Sequence, residues 1–148
     1  PSAHHLDLYG GGGLFADALG QHFGETASIT VVESDPLASG YTARNLADYS
    51  NATAVTEEVR AFLRHYRPEG QVGVVVLDPP RSGAKDEVVK HVSSLSPQAV
   101  VYVACDPVAL GRDIRTFREQ GYDMFSVRGF DLFPHTHHVE ALAVLLRT

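Results

Sequence analysis

The stretch HLDLYGGGGLF, residues 5–15, decides how the rest of the chain reads. His5–Tyr9 has the make-up of a short strand, and it runs straight into Gly10-Gly11-Gly12-Gly13. Beyond the glycines, Leu14, Phe15, Ala18, Leu19 and Phe23 repeat at helical spacing. Strand, glycine turn, helix is the opening unit of a parallel α/β sheet. Glycines at such a turn permit positive φ and close approach of the backbone to a ligand.

Working outward, the same alternation continues. Ser28–Glu33 is a β-branched run and predicts a second strand. Asp35 is placed to cap a helix that starts at Pro36 and runs to about Tyr49. Ala52–Thr56 predicts a third strand and Glu57–Tyr66 a helix ending before Pro68. Val72–Leu77 and Ala99–Ala104 are nearly continuous apolar runs, the mark of strands buried on both faces. Helices are expected over Asp86–Leu95 and Val108–Glu119, and final strands over Tyr122–Phe130 and Ala141–Leu146. The last two strands follow each other without a helix between them. The expectation is a single α/β domain over residues 1–148 with a doubly wound, mostly parallel, seven-stranded sheet and one antiparallel strand near its end.

Composition bounds the function. The chain has 148 residues, 44% hydrophobic and 20% charged, and a net charge of −6. It is therefore globular, and its acidic balance argues against gripping nucleic acid unaided, since phosphate contacts want a basic surface. No apolar run reaches the ~18 residues of a membrane span. Cys105 is the only cysteine, which excludes a disulfide framework and a multi-cysteine zinc site. It fits a reducing, cytoplasmic compartment. The first strand begins within five residues of Pro1, so a fragment of a longer protein is expected.

In open α/β sheets ligands bind at the carboxyl ends of the strands, where the strand order reverses. The glycine run, Glu33, Glu57 and Glu58, Asp78 and Cys105 all fall at such ends. Gly10 and Gly12 match the first two positions of a dinucleotide loop, but Phe15 stands at the third and blocks the close helix packing that a glycine there permits. Glu33 lies about twenty residues past the glycines, where an acid bonds ribose hydroxyls. Glu58 is a candidate for an adenine amino group, and equally an ordinary acid of a helix first turn. Asp78-Pro79-Pro80-Arg81-Ser82-Gly83 is a stiff loop suited to holding a flat substrate or an amino group. Pro80 and the Phe133-Pro134 segment are candidate walls for that substrate. Cys105 leaves the core where ligands bind, beside the start of a helix. Glu140 opens the last strand at the same edge and is a candidate general base. His135, His137 and His138 suggest a metal, but they have no neighbouring cysteine and no H-E-x-x-H spacing, so no metal is expected.

Taken together, DLYGGGGLF (7–15), VVESD (31–35), LDPPRSG (77–83), YVACDP (102–107), LGRDI (110–114) and DLFPHTHHVE (131–140) resemble the catalytic domain of the S-adenosylmethionine-dependent RNA 5-methyluridine methyltransferases. The resemblance covers nearly the whole chain in order. It implies a Rossmann-like class I methyltransferase fold and S-adenosyl-L-methionine as cofactor. It implies tRNA or rRNA as substrate, gripped with the help of an N-terminal RNA-binding domain outside this chain. It assigns Cys105 as nucleophile, Glu140 as base, and Tyr9, Leu14, Glu33 and Asp78 as cofactor contacts. Asp106 stands where that family usually has Asn. Two other readings remain: an amino-methyltransferase that uses the Asp78-Pro79-Pro80-Arg81 loop without a thiol, and a cofactor-binding domain inactive on RNA by itself.

Overall fold

The computed structural model describes residues 3–131 and 140–148. Strands β1 (His4–Leu8), β2 (Ser28–Glu33), β3 (Ala52–Thr56), β4 (Val72–Leu77), β5 (Ala99–Ala104), β6 (Tyr122–Phe130) and β7 (Glu140–Arg147) form one seven-stranded sheet in the order β3-β2-β1-β4-β5-β7-β6. Neighbours among β1–β5 pair in parallel, while β7 runs antiparallel to both β5 and β6. This is the doubly wound sheet expected from the alternation of elements. The chain winds outward from β1 to β3, then returns to place β4 on the other side of β1. The order thus reverses between β1 and β4, and the crevice above their carboxyl ends is where a ligand would lie.

Helices α1 (Leu14–Phe23), α2 (Pro36–Asn45), α3 (Val59–His65), α4 (Lys85–Ser94) and α5 (Pro107–Glu119) connect the strands. Two cores result. Leu6, Leu8, Val75, Leu77, Val100 and Tyr102 pack toward α3, α4 and α5, together with Phe62, Val88, Val89 and Phe117. On the opposite face Ile29, Val31 and Val76 pack with Ala16 and Leu19 of α1. Tyr122 stands edge-on to Phe117 at 6.0 Å and donates its hydroxyl to the Pro97 carbonyl at 2.7 Å.

Several boundaries differ from the sequence expectation for local reasons. Helix α2 stops at Asn45 rather than near Tyr49, and the chain turns through 46–50 so that the Tyr49 hydroxyl reaches Asp17 at 2.8 Å. Helix α3 starts at Val59 rather than Glu57, so Glu58 sits at the helix cap beyond the end of β3 instead of in the first turn. Strand β7 begins one residue earlier than expected, at Glu140. Asp35 caps α2 as predicted, its Oδ1 accepting from the Leu37 amide at 3.0 Å with Pro36 in the first turn. Asp106 caps α5 in the same way, accepting from the Val108 amide at 3.1 Å with Pro107 following.

Two polar side chains are fully enclosed on the α1 side of β1. The His5 ring stacks on Phe23 at 4.1 Å and its Nδ1 accepts from the Val74 amide at 2.9 Å. Burial, and then the neighbouring His4, push its pKa down. Asp7 Oδ2 accepts from the Ala16 amide at 3.1 Å, whereas its Oδ1 has no partner. Burial drives the Asp7 carboxyl up to about 7; the Ala16 bond opposes that rise, and Asp78 and Glu33 add to it.

Two outcomes follow for stability. Truncating Phe117 to Ala should cost about 3–5 kcal/mol by opening a cavity, whereas Phe125→Ala, at a side chain 73% exposed, should stay within about 0.5 kcal/mol. Denaturant midpoints compare the two. For Asp7, the folded state keeps a proton that the unfolded state releases near 3.8, so stability falls as pH rises from about 4 to 7. The loss is of order 4 kcal/mol at most. Asp7→Asn should flatten this slope relative to the parent protein and stabilise the fold at pH 8. A parallel pair of pH profiles would contradict a protonated Asp7.

Candidate functional site

The glycine turn forms because β1 delivers Tyr9 and Gly10 at the sheet edge and the chain must reverse into α1. Tyr9 takes φ +61, and Gly11 and Gly13 take +54 and +87. At Gly10 a Cβ would overlap the Cγ1 of Val31, so the side chain must be absent there. The Gly11 amide donates to Glu33 Oε1 at 3.1 Å, while Glu33 Oε2 accepts from the Asp35 amide at 2.9 Å. Glu33 thus meets the turn, as its spacing predicts. The turn is also fastened to α2, where Thr42 donates to the Gly11 carbonyl at 2.6 Å and Asn45 to the Gly12 carbonyl at 2.9 Å.

A cavity of about 420 Å³ opens on the α3–α4 side of this edge, lined by Tyr9, Glu58, Arg60, Pro80, Ser82 and Lys85 among others. Tyr9, Glu58 and, from the Asp78–Gly83 loop, Pro80, Ser82 and Gly83 are therefore brought to one space, which Glu33 and Asp78 do not line. Burial, followed by the charge of Asp113, holds the Tyr9 phenol protonated by raising it to about 12. Glu58 does not project freely, since Arg60 Nε lies 3.3 Å from its Oε1. Gly12 and Leu14 line a different opening of about 480 Å³, with Gly13, Asp17 and Asn45 on the α1–α2 flank. Leu14 is 75% exposed there, so the structure separates it from Tyr9 and Glu58.

Asp78 follows directly on the end of β4, its amide donating to the Leu8 carbonyl at 3.3 Å. Partial burial, and then the charge of Glu140, raise its carboxyl above the ordinary range. Cys105 is half-buried at the carboxyl end of β5. Across the β5–β7 pair, Ala104 faces Ala141, so Cys105 and Glu140 each lie one residue beyond that pair at the same end of the sheet. The thiol, the Glu140 carboxylate and Asp78 thus share one edge.

Asp7 was passed over in the sequence because a carboxylate inside an apolar strand reads as part of an alternating pattern. The signal was its position three residues before Gly10. Its unpartnered Oδ1 lies beneath the turn, a buried acceptor suited to a cationic group. Asp113 is a second omission. Among the described residues no three His, Cys, Asp or Glu side chains gather in a metal-binding group, and no helix is long and apolar enough to cross a membrane. His135, His137, His138, Phe133 and Pro134 lie outside the described residues.

The arrangement can be compared with known proteins. An RNA methyltransferase of Streptomyces avermitilis is 43% identical over 140 residues, covering 95% of this chain and 32% of that protein. The 23S rRNA (uracil(1939)-C(5))-methyltransferase RlmD of Photorhabdus laumondii is 35% identical, covering 99% of this chain and 33% of that one. Among solved structures, the Pyrococcus abyssi tRNA (uracil-54, C5)-methyltransferase in complex with S-adenosyl-L-homocysteine superposes with a TM-score of 0.81 at 28% identity, over 99% of this chain and 35% of that chain. The chain spans about a third of the length of these relatives. The family model for tRNA (uracil-5-)-methyltransferases matches residues 2–148. With the glycine turn, the Asp78-Pro79-Pro80-Arg81 loop, Cys105 and Glu140 in order along one sheet edge, the chain belongs to the tRNA (uracil-5-)-methyltransferase family.

Proposed function

We propose that this domain transfers a methyl group from S-adenosyl-L-methionine to carbon 5 of a uridine in RNA, through a covalent adduct with Cys105. The observation that carries the reading is the β5–β7 register, whose last pair, Ala104–Ala141, leaves Cys105 and Glu140 one residue further on at the same end of the sheet. Family membership supports it, and so does the cofactor analogue bound by the Pyrococcus abyssi relative.

The residues present suit the cofactor. S-adenosyl-L-methionine, when bound, supplies an electrophilic methyl group on a positively charged sulfur. Glu33 offers carboxylate oxygens for ribose hydroxyls. Tyr9, Glu58 and Pro80 provide walls and an acceptor for the adenine. Asp78, just past the end of β4, offers negative charge to the cationic end, and Asp7 beneath the turn offers a polar oxygen on a carboxyl that burial keeps protonated up to about pH 7. Gly10 lets the turn pack against Val31 beside the cavity lined by Tyr9, while Gly12 lines the opening on the other flank.

The chain's own groups then perform the chemistry on the uracil. Carbon 5 is a weak nucleophile by itself. The Cys105 thiolate adds to carbon 6, and the electron pair of the carbon 5–carbon 6 double bond moves onto the ring as an enolate. Carbon 5 is thereby made electron-rich and takes the methyl. Glu140 removes the carbon 5 proton, the double bond re-forms, and the carbon 6–sulfur bond breaks to release the thiolate. The target base must leave any stack to reach this edge.

The domain acts, in this reading, as the catalytic part of a longer cytoplasmic enzyme. The −6 charge leaves the grip on tRNA or rRNA to another region. Two variants test the reading in the full-length protein. Cys105→Ala should abolish methylation and any covalent RNA complex while cofactor affinity survives; continued turnover would exclude the thiol mechanism and favour transfer to an amino group. Glu140→Gln should accumulate a denaturation-resistant protein–RNA complex on gels, and free methylated product in its place would remove Glu140 from the base role.

A further inference from the structure

Helix α4 begins without a cap of its own. Its cap position is Ala84, which has no side-chain acceptor, and Lys85 enters the helix at φ +71. The missing acceptor comes from another helix. Asp113, on the second turn of α5 and with no solvent exposure, accepts the Ala84 amide at 2.8 Å and the Lys85 amide at 3.4 Å on its Oδ2. The same oxygen accepts the Tyr102 hydroxyl of β5 at 2.6 Å. Its Oδ1 faces the Arg112 guanidinium at 3.2 Å, and Arg112 in turn donates to the Ser82 carbonyl at 2.6 Å. Gly83 fits between them at φ +81; a Cβ there would stand 2.6 Å from Asp113 Oδ2.

A buried carboxylate is costly unless its lone pairs are filled and its charge is compensated. Here both conditions are met by the groups around it: two amides of the loop, the phenol of Tyr102 on β5 and the guanidinium of Arg112 on α5 converge on one side chain. The positive end of α4 adds to that compensation. Ser82, Gly83, Ala84 and Lys85 are also one wall of the cavity that contains Tyr9, Glu58 and Pro80. Tyr102 lies three residues before Cys105, so the junction ties that wall to the strand that carries the thiol.

We propose that Asp113, with Tyr102 and Arg112, is a positioning residue that clamps the Ser82–Lys85 wall of the cofactor cavity in its binding-competent shape. The inference rests on the assignment of that cavity to S-adenosyl-L-methionine. Asp113 does not line the cavity and acts through the loop.

The test measures S-adenosylhomocysteine affinity by calorimetry, well below each variant's melting temperature, for the parent protein, Asp113→Ala, Asp113→Asn and Tyr102→Phe. Amide exchange at Ala84 and Lys85 is followed in parallel. Asp113→Ala should weaken binding roughly 10- to 100-fold and speed exchange at those two amides. Asn keeps one oxygen for the amides and the phenol, and should stay within about fivefold of the parent. Tyr102→Phe removes one of the bonds and should fall between Asn and Ala. Where Asp113→Ala does not fold, the ranking of Asn and Phe decides. Parent-like affinity in folded Asp113→Ala, or a loss in Asn equal to that in Ala, would overturn the clamp. A parent protein that binds no S-adenosylhomocysteine would instead overturn the cofactor assignment beneath it.

Discussion

The antiparallel pairing of β7 against β5 is the constraint on which the site depends. Every parallel strand of the sheet brings its last residue to the ligand edge. A parallel β7 would carry Glu140, its first residue, to the far end, a full strand length from Cys105. Because β7 runs the other way, Ala104 meets Ala141 and Glu140 arrives at the same end of the sheet as Cys105. The proximity is a consequence of strand direction and register, and a one-residue slip would turn the β7 side chains to opposite faces.

Electrostatics gives the same edge a second property. Asp7, Glu33, Asp78 and Glu140 converge on it, and their charges oppose one another. Asp78 and Glu33 each add to the rise at Asp7, and Glu140 adds to the rise at Asp78. A cluster of carboxylates with one buried, unpartnered oxygen is unfavourable when empty and favourable around a cation. In the proposed reading the positive charge of the cofactor supplies that compensation, and expulsion of the uncharged product restores the repulsion.

Much of this was legible in the amino-acid order. The strands announce themselves because β2, β4 and β5 are β-branched runs, and the glycines after β1 allow few alternatives. The register between β5 and β7 was not legible, since neither strand contains a residue that fixes its partner. The end of α2 was missed because Tyr49 continues the helical spacing but spends its hydroxyl on Asp17 instead. Glu58 falls inside the helix expected over Glu57–Tyr66, because the sequence does not reveal that α3 starts only at Val59. Asp113 falls within the LGRDI motif, but its role was not legible there: an acid in mid-helix reads as a solvated face, and only the tertiary fold reveals that its oxygens cap a different helix. Asp106 carries a local signal, since an aspartate before proline is a common helix cap, and the structure uses it that way.

The most direct measurement uses RNA in which the target uridine carries fluorine at carbon 5. Fluorine cannot leave as a proton, so the step assigned to Glu140 is blocked after methyl transfer. Incubated with S-adenosyl-L-methionine, the full-length protein should become covalently joined to this RNA, and peptide mass spectrometry should place the methylated fluorouridine on Cys105. Absence of a covalent complex while ordinary uridine RNA is methylated, or attachment through any other side chain, would contradict the account.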